Sequence, residues 1–176
     1  MEFTLFYRGL IKSKASIQEK HDLRMCFARQ LARLCKLPPL SEHRDWFRKD
    51  SFLSLPVAGR TFYFLVARRL DMYAQLHIDV LVPPRSRGFR DIDNKLKVIC
   101  DALSVPKKAQ IPGSARQGRA VHCLLEDDEL VYGLTVDTDY LLESGKPSLL
   151  DRKTIWIIHV ALKGNRFHNK HKDLIV

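Results

Sequence analysis

Apolar positions recur with two different periods along this chain. Residues 2–7 alternate, with Phe3, Leu5 and Tyr7 on one side, which predicts an opening strand. Ser16-Ile17-Gln18-Glu19 carries the residues of a capping box, Ser16 as N-cap and Glu19 at the third helical position. Behind it Leu23, Phe27, Leu31 and Leu34 fall at helical spacing, while Lys20, Arg24, Arg29 and Arg33 avoid that stripe. An amphipathic helix with a basic outer side is expected, ended by Pro38-Pro39. Residues 40–59 show no period, although Trp46, Phe47 and Phe52 lie among their charges.

Strands are predicted over 62–67 and 73–82, the second with Ala74, Leu76, Ile78, Val80 and Val82 on one face. The short connection at 68–72 suggests a hairpin, and Pro83-Pro84 stops the second strand. From Asp93 to about Leu103 the period becomes helical, with Ile92, Leu96, Ile99 and Leu103 on one stripe. Residues 104–122 carry Pro, Gly, Ser and basic side chains without periodicity, and are expected to form an exposed, mobile basic insertion. Two further strands are predicted over 130–136 and 154–162, with Leu130, Tyr132, Leu134 and Val136 sharing a face in the first. The order β-α-β-β-α-β-β implies an α+β fold: one domain over 1–176, a mixed, mostly antiparallel sheet packed with two main helices, and a basic tail at 163–176.

Composition adds a direction. With Lys+Arg 30 against Asp+Glu 20 the net charge is +10, which favours nucleic acid or an anionic surface as partner. No apolar run approaches a membrane span and no signal-peptide core follows Met1, so a membrane protein is not expected. Cys26, Cys35, Cys100 and Cys123 form no Cys-x-x-Cys pair and suit small buried positions in a reducing cytoplasm. His168 and His171 have ligand-like spacing but lie in the basic tail without a matching cysteine pair.

The candidate chemistry lies in Arg90-Asp91-Ile92-Asp93-Asn94-Lys95-Leu96-Lys97, then Asp101-Ala102-Leu103, then Asp127-Asp128. Asp93, Lys97 and Asp101 are four residues apart and line one helical face, to one side of the apolar stripe. Asp91 precedes the helix and can bend towards Asp93; Asp127 and Asp128 open the next strand and can close the cup from across the sheet. Gathered carboxylates repel one another, and a hard cation such as Mg²⁺, which prefers oxygen ligands, holds them together. Such an ion activates water and offsets phosphate charge, and Lys97 is placed to do the latter. An acidic metal cup in a basic body reads as a nuclease. Each piece alone has a plainer reading: an N-cap aspartate, an i,i+4 ion pair, a solvated acidic turn. Around the cup, Arg85, Arg87, Arg90, Lys107, Lys108, Arg116 and Arg119 are candidate phosphate contacts.

Arg-Asp-Ile-Asp-Asn-x-x-Lys-x-x-x-Asp-Ala-Leu followed by Asp-Asp closely resembles the RusA-type Holliday junction resolvases, through Arg90, Asp91, Asp93, Asn94, Lys97, Asp101, Ala102, Leu103, Asp127 and Asp128. The resemblance implies a RusA-like fold and Mg²⁺ (or Mn²⁺) held by Asp91, Asp93 and Asp128, with Lys97 essential to catalysis. It also implies a homodimer that resolves four-way or other branched DNA by phosphodiester hydrolysis, with no small-molecule cofactor. Two departures stand out: the long insertion at 104–122, where the family has a short turn, and the added residues 40–59 and basic tail. Two alternatives stay open, a nuclease of the same fold cutting other DNA or RNA, and a non-catalytic nucleic-acid-binding protein.

Overall fold

Strict alternation from Met72 to Val82 leaves Met72, Ala74, Leu76, Ile78, Val80 and Val82 buried and the residues between them open, so this strand has one dry and one wet face. It is the backbone of a computed structural model that describes residues 1–83, 91–115, 118–141 and 153–164. The elements run β1 (Glu2–Arg8), α1 (Ile17–Leu34), a 3-10 stretch (Leu40–Phe47), β2 (Ser54–Val57), β3 (Arg60–Val66), β4 (Met72–Val82), α2 (Ile92–Leu103), β5 (Val121–Leu125), β6 (Val131–Tyr140) and β7 (Ile155–Gly164).

The architecture is α+β, as the pattern predicts, but the strands divide between two sheets. One has the order β1-β7-β4-β6 and the other β2-β3-β5. β1 and β4 pair antiparallel with β7, and β2 with β3, whereas β4–β6 and β3–β5 are parallel. The expected hairpin of β3 and β4 is therefore not formed. A 3-10 turn, Arg68–Leu70, carries the chain from one sheet to the other, with Asp71 in the left-handed region at φ 50°. β2 and β5 were not foreseen: β2 is short and interrupted by Pro56, and β5 (Val-His-Cys-Leu-Leu) is a brief run buried almost throughout, without alternation to mark it.

Two boundaries also move. β6 begins at Val131 and runs to Tyr140, so Leu130 belongs to the preceding turn and the strand is longer than expected. Lys163 and Gly164 belong to β7 rather than to a tail; residues 165–176 lie outside the described residues.

α1 follows its sequence closely. Ser16 Oγ accepts from Glu19 N, and Glu19 Oε2 accepts from Ser16 N at 2.8 Å, completing the capping box. Leu23, Phe27, Ala28 and Leu31 are buried, and the helix packs on β1, β5 and α2. Burial of each such large side chain contributes about 1.5–3 kcal/mol.

Arg24 departs from the expected basic outer side. It is buried; its Nη2 donates to the Asp101 carbonyl at 2.7 Å and its Nε to the Ser104 carbonyl at 3.3 Å, so it bonds the last turn of α2. Arg24→Ala leaves two carbonyls without this donor and opens a cavity. The expected loss is about 3 kcal/mol, or roughly 6–12 °C in Tm for a domain of this size. Thermal melts of the variant check this, and a shift of only one or two degrees would contradict the clamp.

Candidate functional site

The local geometry of the acidic motif starts at the head of α2. Asp91 occupies the N-cap position in the left-handed region, φ 63° and ψ 53°, and its side chain caps no helix amide. A non-glycine residue there is uncommon, although aspartate tolerates it better than most. Its Oδ1 instead accepts from Asn94 Nδ2 at 2.6 Å, which fixes the carboxylate's direction. Asp93 and Lys97 are exposed one turn apart.

The buried side of α2 is rotated from the expected stripe. Lys95, Val98, Ile99, Ala102 and Leu103 are buried, while Ile92 and Leu96 are half-buried. The Asp93–Lys97–Asp101 line consequently lies across the helix from the core, not merely beside it. Lys95 is the unexpected member: burial lowers its pKa, and the nearby Asp91 carboxylate acts in the opposite direction.

Asp127 and Asp128 do not open a strand. They form a 3-10 turn between β5 and β6, where Asp127 Oδ1 accepts from Glu129 N at 3.1 Å. The turn is held from the far side: Glu126 N donates to the Val66 carbonyl, Glu126 Oε2 accepts from Arg68 N, and Arg68 pairs with Glu129. α2 packs against this turn. Between them lies a cleft of about 390 Å³ whose lining includes Lys20, Lys97, Asp101, Lys107, Asp127 and Asp128.

Three elements and the 107 loop thus meet at one place. Lys20 of α1 reaches Asp101 at 2.5 Å, with both side chains largely covered. Asp127 and Asp128 titrate in opposite directions. The hydrogen bond from Glu129 N holds Asp127 below the usual carboxylate range. Burial, followed by Asp127 and the charge of Asp101, raises Asp128 above it. Burial pushes the neighbouring Cys100 thiol up to about 11, with help from Asp128 and Asp101. The cleft therefore favours an added positive charge, either a proton on Asp128 or a cation. Its carboxylates are of the oxygen type a hard divalent ion prefers, while the three-ligand grouping found among the described residues lies elsewhere, at His77, Asp79 and Asp137.

Of the predicted residues, Lys97 and Asp128 line this cleft together with Lys107. Among the described residues, Asp91 and Asp93 do not line it and sit at the head of the same helix. Asp93 to Asp101 spans ~12 Å of helix. Lys108 and Arg119 are exposed; Arg85, Arg87, Arg90 and Arg116 fall outside the described residues.

The segment from 104 to 122 is more anchored than expected. Ile111 and Pro106 are buried, and Val121 and His122 already belong to β5. Arg60 donates to the carbonyls of Arg119 at 2.8 Å and Ala115 at 3.1 Å. Gly118, at φ +141°, lies so close that a Cβ would meet Arg60 Nη2 at 2.8 Å.

Lys20 and Asp101 as an interhelical pair were not legible, since only tertiary packing brings α1 to α2. Sequence reading also missed a second polar group on the wet face of β4: His77, Asp79 and Asp137, whose ligand atoms lie within 4.8 Å of one another. Its one signal is His-x-Asp at alternate positions of a central strand.

Asp128 gives a pH prediction with a definite sign. A carboxyl whose folded pKa is raised disfavours the folded state once it ionises, so its contribution is favourable below the ordinary carboxylate pKa and is lost as pH rises through the raised value. Asp128→Asn should therefore raise Tm at neutral pH, with the gain shrinking in acid where Asp128 is protonated. A melting series from acid to neutral pH checks this; a gain independent of pH would contradict it.

All four cysteines are free, and among the described residues no helix is long and apolar enough to cross a membrane. Comparison with known proteins finds no matching family model and no matching curated protein or solved structure, so the cleft's geometry and chemistry carry the functional argument.

Proposed function

We propose that the chain is a Mg²⁺-dependent endonuclease acting on branched DNA, with the cleft between α2 and the Asp127–Asp128 turn as its reacting end. The observation that carries this reading is the meeting of Lys97, Asp101, Asp127 and Asp128 in one cleft of a chain of net charge +10. The RusA-type resemblance implies Asp91, Asp93 and Asp128 as the ligands of Mg²⁺ or Mn²⁺; of these only Asp128 lines the cleft, so ion binding would have to draw the head of α2, with Asp91 and Asp93, towards it. When bound, that ion lowers the pKa of a water and offsets phosphate charge.

The chain's own groups account for the remainder. Asn94 orients the Asp91 carboxylate, and Lys20 holds Asp101 against the helix. Lys97 offers an exposed ammonium to a phosphate oxygen, where charge develops in the transition state. Lys107, Lys108 and Arg119 are exposed and available to the flanking backbone. A twofold homodimer would present two such clefts to a symmetric four-way junction.

The closeness of Lys20 and Asp101 supports a competing reading, in which the carboxylates are structural and the protein binds nucleic acid without cutting it. Purified protein, incubated with a labelled four-way junction and with linear duplex, with and without Mg²⁺, separates the two. Mg²⁺-dependent cutting of the junction is expected. Binding without cutting at any Mg²⁺ concentration would select the competing reading, and cutting of linear DNA or RNA in preference would reassign the substrate.

Asp93→Asn is expected to abolish cleavage while keeping junction binding, because it removes ligand charge without changing shape. Lys97→Ala should lower the cleavage rate roughly 100–1000-fold, as loss of one transition-state donor does, with binding nearly unchanged. Single-turnover cleavage and gel-shift titrations measure both. Retained turnover in Asp93→Asn, or weaker binding with unchanged cleavage in Lys97→Ala, would reject the assigned roles.

A further inference from the structure

The four-stranded sheet has a wet face that the nuclease reading leaves unused. Its register brings polar residues into rows across the strands. Thr4, His159, His77 and Thr135 are successive partners on β1, β7, β4 and β6; in the next row Asp79 of β4 stands opposite Asp137 of β6. Like charges directly opposite one another destabilise a strand pair. Here the two carboxylates share a neighbour, since His77 Nε2 lies 3.1 Å from Asp79 Oδ1 and 3.6 Å from Asp137 Oδ2.

Those spacings match a coordination polyhedron. Ligands on a tetrahedral zinc ion at bonds of about 2.0–2.1 Å stand about 3.3 Å apart. The donor atoms of His77, Asp79 and Asp137 all lie within 4.8 Å of one another, so one ion placed among them needs only small side-chain rotations. The surroundings add the outer contacts that metal ligands usually have. His159 Nε2 lies 2.9 Å from the second oxygen of Asp79, and His159 Nδ1 lies 3.2 Å from Thr4 Oγ1. The His77 and His159 rings are 5.7 Å apart. His77 and Asp79 are partly exposed on the central strand β4, while His159 on β7 and Asp137 on the edge strand β6 are exposed. A concavity of about 630 Å³ lies beside the group and is bordered by His77 and His159, with Thr4, Gln75 and Thr135, but not by Asp79 or Asp137.

We propose that His77, Asp79 and Asp137 form a second metal site, distinct from the acidic cleft, that takes a divalent transition ion of the Zn²⁺ class. His159 is a positioning residue that holds the second oxygen of Asp79. The imidazole selects against Mg²⁺, which prefers an all-oxygen shell, and in favour of zinc, cobalt or copper. By joining β4 to β6, the ion would also cancel the repulsion between Asp79 and Asp137 and pin the edge strand. This site does not depend on whether the cleft is a nuclease.

The experiment is a calorimetric titration of untagged full-length protein with Zn²⁺, together with the visible spectrum of its Co²⁺ form. One equivalent should bind, with the intense d–d bands of a four-coordinate cobalt ion. His77→Ala and Asp79→Asn should each weaken Zn²⁺ binding at least tenfold and bleach the cobalt bands. Asp137→Asn, on the exposed edge, does the same without threatening the fold, and circular dichroism verifies each variant. His159→Ala should weaken binding less than His77→Ala does, while shifting the cobalt bands. Asp93→Asn and Asp128→Asn should leave Zn²⁺ affinity as it is. Absence of stoichiometric Zn²⁺ binding in the wild type, wild-type affinity in the His77 and Asp137 variants, or loss of binding in Asp128→Asn instead would overturn the site.

Discussion

The placement of α2 depends on two cations that α1 sends across to it. Arg24, buried, donates to the Asp101 and Ser104 carbonyls at the helix's last turn, and Lys20 pairs with the Asp101 carboxylate one turn nearer the chain's start. Buried charges of this kind stabilise only when their hydrogen bonds are made, so the contact is sensitive to orientation as well as to distance. It fixes which side of α2 faces outward, and hence where Lys97 and Asp101 stand relative to the Asp127–Asp128 turn. The turn is fixed independently, by Arg68 and the end of β3. A cleft built between two separately anchored elements keeps its shape while carrying carboxylates that repel one another.

That repulsion is the common physical theme of both polar groups in the molecule. In the cleft, Asp128 is driven towards its protonated form by burial and by Asp127 and Asp101. On the wet face of the sheet, Asp79 and Asp137 stand opposite each other with His77 between them. Both arrangements are relieved by positive charge, but their donors differ. The cleft offers carboxylates and lysines, the donors that the proposed hard ion and phosphate would take; the sheet offers imidazole with carboxylate, the donors of the proposed softer one.

The fold was largely legible where one residue class occupied one face. The capping box of α1, the alternation of β4 and the Trp156-Ile158-Val160-Leu162 row of β7 all give clear periods. Legibility failed where tertiary contacts override local pattern. β5 is dry on both sides and too short for a period, and its parallel pairing with β3 separates β3 from β4 into different sheets. In α2 Lys95 is buried where the pattern suggested an outward position, and Ile92 and Leu96 of the expected stripe are only half-buried. The candidate site was legible as a set of residue types and not as a geometry: the motif names Lys97 and Asp128, but only the α1–α2 clamp explains why Asp101 joins them in the cleft, with Asp91 and Asp93 at the helix head. The histidine-aspartate group escaped notice since its members come from two strands, β4 and β6, far apart in the chain.

The central claim, that the acidic cleft is a divalent-cation site, is tested most directly by an amide-resolved NMR titration with paramagnetic Mn²⁺, an ion that prefers oxygen donors. The account predicts that substoichiometric Mn²⁺ broadens the amide signals of Asp93, Lys97, Asp101 and Asp128 first, and that excess Mg²⁺ restores them. Sharp signals at those residues throughout the titration, with broadening elsewhere or not at all, would contradict it.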